Sequence, residues 1–315
     1  MSEIMKGLPI NDYDYNRAFW NKLRQKDTGD DKHYLLVSDS TTGGYALPHD
    51  GFVKMNRALE KTSIFRQLAT VMRVHGHQYK ILSKDQNDMA TWIPENGEFP
   101  IYNGMDDFTV KMVDSFKLGA FLKMDEDFVY DASFSFEDYL IQRLAKNFGE
   151  AETAAFISGT GEAMPTGILA EENGAQVGVT ATELTYVDVV KLYFSVKPEY
   201  RENAVWLMND ETAYILRTIK DNDGNYIWNH ANDTILGKKV ILTRHMPGAA
   251  AGTKPIAFGD FSYYWIVTRK NVTVRTLVEK FLVNGQIGYL AYEFLDGKLI
   301  RPDAIKIMKI SDTAA

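Results

Sequence analysis

The sequence predicts an α+β fold, in which helices and strands are mixed without strict alternation. Three observations favour this class. Residues 135–158 have the apolar periodicity of one long amphipathic helix. Most of the chain after residue 238 consists of short strand-like runs. The segment 83–114 has the pattern of a long hairpin with a wide polar tip.

The start of the chain predicts a short helix and a flexible connection. Residues 12–26 are expected to form the helix, with Phe19, Trp20 and Leu23 on one side. Residues 27–44 are polar and rich in Gly and Thr, which is typical of a connecting segment. We therefore expect an N-terminal arm rather than a domain.

Regular structure is predicted to begin after Pro48. Phe52, Met55 and Leu59 follow each other at helical spacing, which indicates a helix over 50–61. Residues 64–82 contain apolar runs suited to extended structure.

The predicted hairpin at 83–114 has a tip, Glu95–Asp107, that is rich in Gly, Pro and Asn. Along Phe108–Val113, neighbouring side chains are expected to point to opposite faces of a strand. A two-stranded hairpin is barely stable alone in water. It therefore needs a surface to lie on, either in its own domain or in a neighbouring chain.

The clearest helix prediction starts at Ser135, which is expected to cap it in a capping box with Asp138. A helix over 135–158 spans roughly 34 Å, about the size of a small domain, and ends at Gly159. Its predicted core face consists of Leu140, Leu144, Phe148, Ala151 and Ala155.

The second half of the chain predicts a helix over 185–197, with Thr185 as its cap, and a helix over 210–220. Residues 221–225 have the composition of a turn. The predicted strands are 203–208, 239–243, 255–259, 262–268, 272–277, 286–295 and 303–310.

Composition excludes several classes of protein. The 315 residues include 35 basic and 42 acidic side chains, and the net charge of −7 argues against general affinity for nucleic acid. No cysteine is present, which excludes disulfides, thiol catalysis and Cys-ligated zinc. No apolar run approaches the roughly 20 residues of a membrane span, and the first residues lack the apolar region of a secretory signal.

No group of residues predicts catalysis, a metal site or a cofactor. His75 and His77 lack a third ligand, and Asp221–Gly224 fails the calcium-loop pattern because no Glu occupies the twelfth position. Gly159–Gly161 follows a helix instead of preceding one, unlike a phosphate-binding loop. The carboxylates of Asp125–Asp127 are sequence neighbours, which do not face each other across a substrate.

Taken together, short motifs resemble the major capsid proteins of tailed bacteriophages, which have the Hong Kong 97-type shell fold. The resemblance rests on the order and spacing of these motifs over residues 43–310 rather than on any single one. They are Gly43–Pro48, Thr91–Glu95, Lys117–Ala120, Ile157–Gly161, Pro165–Leu169, Lys220–Ile227 and Phe258–Asp260.

The resemblance implies a phage capsid fold with an N-terminal arm, an extended β-hairpin loop, a peripheral domain with a long spine helix and an axial α/β domain. Its boundaries would be 1–45 for the arm, 46–82 for the start of the peripheral domain, 83–114 for the extended loop, 115–183 for the peripheral domain with spine helix 135–158, 184–268 for the axial domain, 269–298 for the peripheral strands, and 299–315 for a final strand returning to the axial domain. The loop would lie across an adjacent subunit, with inter-subunit contacts from Trp92, Ile93, Glu95, Phe99, Tyr102 and Phe108.

The implied function is structural, with no enzyme activity and no cofactor. Copies would assemble as pentamers and hexamers into an icosahedral shell that encloses double-stranded DNA without sequence-specific binding. The implied partners are other copies, a scaffolding protein, a portal and a maturation protease. Assembly would take place in the host bacterial cytoplasm and involve no membrane. Met1 lies near the point where many members lose a scaffolding segment, so scaffolding is expected from a separate protein or from a pro-segment outside this chain.

Two alternatives remain open at this stage. One is an encapsulin-like shell, which shares the fold and encloses enzyme cargo. The other is a soluble α+β enzyme, although the sequence offers it no catalytic set.

We expect particles of this protein to lack covalent crosslinks between subunits. Some members of the family join a loop lysine to an asparagine of a neighbour with the help of a glutamate, and Asn284 and Glu293 lie near the matching positions. The loop tip, Glu95–Asp107, contains no lysine, and the nearest are Lys84 and Lys111. Denaturing gels of assembled particles should show monomer only; a ladder of covalent oligomers would contradict this.

Overall fold

The computed structural model describes residues 13–35, 44–74, 79–84, 108–131, 133–221, 223–229, 231–269 and 272–311. Its helices are α1 Tyr13–Leu23, α2 Asp31–Tyr34, α3 His49–Thr62, α4 Ile64–Leu68, α5 Glu126–Tyr130, α6 Phe136–Ser158, α7 Tyr186–Ser195, α8 Pro198–Arg201 and α9 Asp210–Thr218. Its strands are β1 Tyr45–Ala46, β2 Thr70–Arg73, β3 Tyr79–Lys84, β4 Phe108–Val113, β5 Phe116–Asp125, β6 Gln176–Ala181, β7 Val205–Met208, β8 Trp228–Asn229, β9 Thr234–Ile235, β10 Lys238–Leu242, β11 Ile256–Gly259, β12 Tyr264–Thr268, β13 Thr273–Leu277, β14 Gln286–Leu299 and β15 Ile305–Ile310. The mixed α+β class predicted from the sequence is confirmed.

The first sheet is built around β14, a strand of 14 residues. Strand β5 pairs antiparallel with it along one edge, from Gln286 to Leu295. Along the other edge β14 pairs first with β13 and then with β12. Strand β1 extends the sheet beyond β13, and β2 runs parallel to β12. The implied boundary at 268 is therefore misplaced, because β12 pairs into this sheet and not into the axial one.

Helix α6 covers one face of the first sheet. Leu140, Leu144 and Phe148 are buried among side chains of β5, β13 and β14, as the apolar spacing predicts. The prediction for Ala151 is wrong because this residue is exposed, and Ala155 is only half-buried. The buried stripe instead continues four residues after Phe148, through Glu152 and then Phe156. Ala151, three residues after Phe148, is apolar like the core residues but lies on the exposed side of the helix.

The start of α6 also differs from the predicted capping box. The side chain of Ser135 makes no hydrogen bond to a backbone N–H of the helix. Its hydroxyl instead donates to the Asp138 carboxylate at 3.1 Å, and Asp138 is bound by Lys54 of α3. The first turn is therefore tied to α3 through side chains. By contrast, Thr185 caps α7 as predicted, since its side chain accepts the N–H of Asp188.

Helix α1, in the segment predicted as an arm, packs into the chain's own core. Phe19, Trp20 and Leu23 share one side, as expected, and are buried beside α6 and the first sheet. The hydroxyl of Tyr289 in β14 donates to the carbonyl of Leu23 at 3.0 Å. This apolar face stabilises its own subunit because the sheet offers it a matching surface, which the sequence of the arm alone does not reveal.

The prediction of extended structure over 64–82 is partly wrong. Residues Ile64–Leu68 form α4, and the strands among the described residues of this range belong to β2 and β3. Phe65 explains the helix, because one helical turn carries its ring into a buried cluster with Phe156, Phe261 and Tyr264. Five residues are too few for a helical period to be recognised in sequence.

The second sheet has the order β6-β15-β11-β7-β10-β9-β8, and most of its strands fall in the segment that the resemblance implies to be the axial domain. Helices α7 and α9 cover one face, where Leu192 and Leu216 pack on Trp206 and Phe258. The final strand β15 returns to this sheet, in keeping with the boundary implied for 299–315. Strand β6 pairs with β15, so Gln176–Ala181 belongs here although the implied boundary assigns it to the peripheral domain.

Helix α6 connects the two sheets. Its first half packs on the first sheet, whereas Phe156 and Ile157 at its end are buried with Leu207 and Ala257 of the second sheet. The same cluster contains Leu295 of β14. The spine helix therefore fixes the relative position of the two sheets within one chain.

Truncating a buried side chain of α6 should destabilise the whole subunit. Leu144 is 3% exposed, and Leu144→Ala should lower the free energy of unfolding by about 2–5 kcal/mol through lost burial and a cavity. Urea unfolding measures this loss. The control Gln142→Ala, at an exposed site on the same helix, should change stability by less than about 0.5 kcal/mol. Equal effects of the two changes would contradict the assignment of the buried face.

Candidate inter-subunit surfaces

Most of the predicted contact residues lie in the loop between β3 and β4. Trp92, Ile93, Glu95, Phe99 and Tyr102 fall outside the described residues, so their contacts stay predictions. Phe108 is the first residue of β4, and its backbone pairs with Lys84 of β3. The two strands pair antiparallel over six residues each, so the base of the predicted hairpin is confirmed.

The base of this hairpin is packed onto the body of the subunit. Val74, Ile81 and Val113 form a buried cluster with Val267 and Ile300. Trp265 of β12 packs against the cluster as well. We call this cluster the root of the hairpin. It supplies the apolar supporting surface that a two-stranded hairpin needs to be stable.

Polar groups hold the end of β4 in place. Asp296 of β14 is fully buried and accepts the backbone N–H of Asp114 at 2.8 Å and that of Gly297 at 2.7 Å. Lys298 donates to the carbonyl of Met112 at 2.6 Å and lies 3.2 Å from the Asp114 carboxylate.

A further hydrogen bond at this root comes from the guanidinium of Arg269, which donates to the carbonyl of Val113 at 2.7 Å. Burial raises the pKa of Asp296, against the opposing effect of Lys298 and the two N–H donors. Burial, reinforced by Lys298, lowers the pKa of Lys111. The root is therefore a network of largely desolvated groups that holds the end of β4 against β14.

A buried ionic cluster joins α4, α6 and β14. The guanidinium of Arg66 binds both carboxylate oxygens of Glu152, with Nε to Oε2 at 2.7 Å, and lies 3.7 Å from Glu293. Burial, followed by the adjacent Glu152 carboxylate, raises the pKa of Glu293 to about 8, while Arg66 opposes this. One cation faces two carboxylates, which favours the protonated form of Glu293.

Asn284 and Glu293 are far apart, although both lie near positions that some family members use for crosslinking. Asn284 is exposed in the turn Leu282–Asn284, before β14 begins. Glu293 lies seven residues into β14, roughly 23 Å along the strand from Gln286. The two side chains therefore do not form one site within a subunit.

The face of the first sheet opposite α6 carries exposed aromatic and basic side chains. Phe121 of β5 is 45% exposed, and its ring lies 5.5 Å from that of Phe281. Both rings extend over Gly288, where a Cβ atom would lie within 3.0 Å of them. The cations Lys117, Lys123, Arg275 and Lys280 lie on or beside this face.

The sequence reasoning missed the ionic cluster and this face. A signal for the cluster was present, because Glu152 stands four residues after Phe148 and four before Phe156, inside the apolar stripe. A charge in such a position indicates a buried partner. The cation that pairs with it, Arg66, is 86 residues away in sequence and leaves no local pattern.

Of the two motifs rejected as metal sites, the one at Asp221 lies mostly among the described residues. Asp221 accepts the backbone N–H groups of Asp223 and Asn225 at 3.0 and 2.8 Å, which closes a turn, as predicted. His75 and His77 lie outside the described residues. Across the described ranges, no three His, Asp or Glu side chains gather into a group that would hold a metal ion. No helix in the described part of the chain has both the length and the apolar character of a membrane span.

Comparison with known proteins points to one family. Residues 43–310 match the model of the phage capsid family. The capsid of a native GTA particle is 29% identical in sequence, with a TM-score of 0.64, over 79% of this chain and 90% of that one. The capsid of an empty GTA particle gives 28% identity and the same score and coverage. A chain from Microbacterium phage Oxtober96 shares the fold at 14% identity, with a TM-score of 0.61 over 79% and 91% of the two chains. Among curated proteins, none matches.

Replacing the buried acid of the cluster should change how stability depends on pH. Folding raises the pKa of Glu293 from 4.5 to about 8. The stability that the protonated side chain contributes is therefore complete below the unfolded pKa and is lost as pH rises through the folded pKa. Glu293→Gln should remove this fall. In urea unfolding at pH 9 the variant should be more stable than wild type, and the difference should shrink towards pH 5. Glu279→Gln, at an exposed carboxylate, should not alter the pH profile. A parallel profile for Glu293→Gln and wild type would contradict the assignment.

Proposed function

Because the chain belongs to the phage capsid family, we propose that its copies assemble as pentamers and hexamers into a closed icosahedral shell around packaged double-stranded DNA. The chain is a major capsid protein, a structural component of the virion. The observation that carries the proposal is the match over residues 43–310 together with the likeness to the GTA capsids. Those capsids were computed with C5 symmetry, which supports five-fold assemblies here.

The contact between copies is proposed to pair the extended loop of one subunit with the first sheet of the next. Residues 85–107 contain six carboxylates and no lysine or arginine. The exposed face of the sheet offers Phe121 for apolar contact and cations such as Lys123 and Arg275 for the carboxylates. Complementary charge selects the partner surface, and apolar burial supplies affinity. Such a contact joins two different surfaces, so it generates closed rings when the rotation between copies closes.

A scaffolding protein, a portal and a maturation protease would act during assembly in the host bacterial cytoplasm. The shell would hold DNA without reading its sequence. The protein would need no cofactor and carry out no catalysis, which agrees with the structural role of its family.

Electron microscopy of the purified protein tests the proposal. Closed shells, or separate pentamers and hexamers, are the expected result. Shells filled with enzyme cargo instead of DNA in producing cells would favour the encapsulin-like alternative. A small oligomer with catalytic activity and no shells would overturn the proposal.

Trp92→Ala should impair assembly more than folding, because its indole is proposed to lie between subunits. Particle yield in sedimentation should fall, while the urea midpoint of the isolated subunit should match wild type. The matched control is Trp265→Ala, since Trp265 packs against the root cluster of its own chain and its loss should lower the urea midpoint. Normal particles at normal yield from Trp92→Ala would refute the proposed contact.

A further inference from the structure

An open groove of about 1070 Å³ runs between α3 and α6, on the side of α6 away from the first sheet. Ala58 and Thr62 of α3 and Ile141 of α6 line it, and Ile141 is nearly buried. Charged side chains stand on both helices: Lys54, Arg57 and Lys61 on α3, and Asp138, Arg143, Lys146 and Glu150 on α6.

The two carboxylates of the groove are already paired. Asp138 binds Lys54 at 2.6 Å. Glu150 binds Arg244 at 2.7 Å and His245 at 2.8 Å, and these contacts hold its pKa below the usual range. Neither carboxylate is therefore free to neutralise the other cations.

Four exposed cations remain without a salt-bridge partner among the described residues: Arg57, Lys61, Arg143 and Lys146. Lys61 follows Arg57 by four residues, a rise of about 6 Å along α3, and Lys146 follows Arg143 by three, about 4.5 Å along α6. Pairs at these spacings share one side of a helix. The groove therefore presents two short rows of positive charge, one from each helix.

The shape and composition of the groove favour a polyanion over a folded protein partner. A stable protein contact needs a desolvated apolar centre. The exposed large apolar side chain that lines the groove is Tyr139, at one end, where its ring lies 5.3 Å from that of Phe134. Phosphate groups of DNA, spaced by a few ångströms along each strand, match rows of Lys and Arg without needing such a centre.

We propose that the groove between α3 and α6 binds the phosphate backbone of double-stranded DNA, without contacts that read the bases. This inference rests on the proposed function, because a shell around DNA brings the two together. The net charge of −7 does not conflict with it, since six carboxylates lie in residues 85–107, away from these helices in sequence. The acidic total describes the whole chain, whereas binding depends on the local surface.

The test measures binding of unassembled subunits to a labelled DNA duplex of mixed sequence, by fluorescence anisotropy over a series of salt concentrations. The groove variant replaces Arg57, Lys61, Arg143 and Lys146 with glutamine. The control variant makes the same charge change on exposed cations near the second sheet, at Lys191, Arg217, Lys220 and Lys239. At low salt the groove variant should bind about tenfold more weakly or worse, and the slope of log affinity against log salt should fall in magnitude by about 3 to 4. The control should keep its slope, and lysine in place of Arg57 and Arg143 should preserve binding.

Three results would overturn the inference. One is equal loss of binding in both glutamine variants, which would indicate general charge attraction. The second is unchanged binding by the groove variant. The third concerns competition by poly-L-glutamate at equal charge. If it displaces the labelled DNA from the wild type as effectively as unlabelled duplex does, and does not do so from the groove variant, the groove is a site for an acidic protein segment. Electron microscopy of the same proteins measures shell formation separately, so a failure of the shell proposal is distinguishable from a failure of the groove.

Discussion

The buried stripe of α6 is the constraint on which the rest of the structure depends. Its first half requires the apolar face of the first sheet, and its last turns require the second sheet, so one helix sets the position of both. The stripe is not wholly apolar, because Glu152 stands in its middle and is 1% exposed. A charge buried this deeply is tolerated only with a partner, and removing one partner of such a pair costs about 3–5 kcal/mol. Arg66 is that partner. The short helix α4 places both Arg66 and Phe65 against α6, where they contact Glu152 and Phe156.

Strand β14 carries this constraint to the base of the hairpin formed by β3 and β4. Glu293 lies against Arg66 in the ionic cluster, and Asp296, three residues later, holds the backbone where β4 ends. The position of the end of β4 is therefore tied to α6 through one strand. A base held by buried groups suits the proposed shell, because the point where each hairpin joins its own subunit would be the same in every copy.

The elements that could be predicted from sequence are those whose periodicity is set by a single buried face. The helices α3, α6 and α7 and the strands after residue 238 follow this rule. The failures have specific physical reasons. Ala151 is small and apolar enough to be counted as core, while the true core position, Glu152, is charged and depends on Arg66 from 86 residues away. Helix α1 was recognised as amphipathic, but its pattern does not tell whether the apolar face packs on its own chain or on another. The loop contacts from Trp92 to Tyr102 lie outside the described residues and stay predictions.

The net charge of −7 hides an unequal distribution of charge along the chain. Six carboxylates without a compensating cation lie in residues 85–107, while cations gather on the exposed face of the first sheet and in the groove between α3 and α6. In the proposed shell the acidic loop would neutralise the sheet face of a neighbour, which leaves the groove as the positive surface still available to phosphate. Salt would screen both contacts, but to different degrees. The loop contact includes apolar burial against Phe121, which salt does not weaken, whereas a groove that meets DNA only through Lys and Arg has no such support. A shell built in this way keeps its walls together under ionic conditions that loosen the wall's hold on DNA.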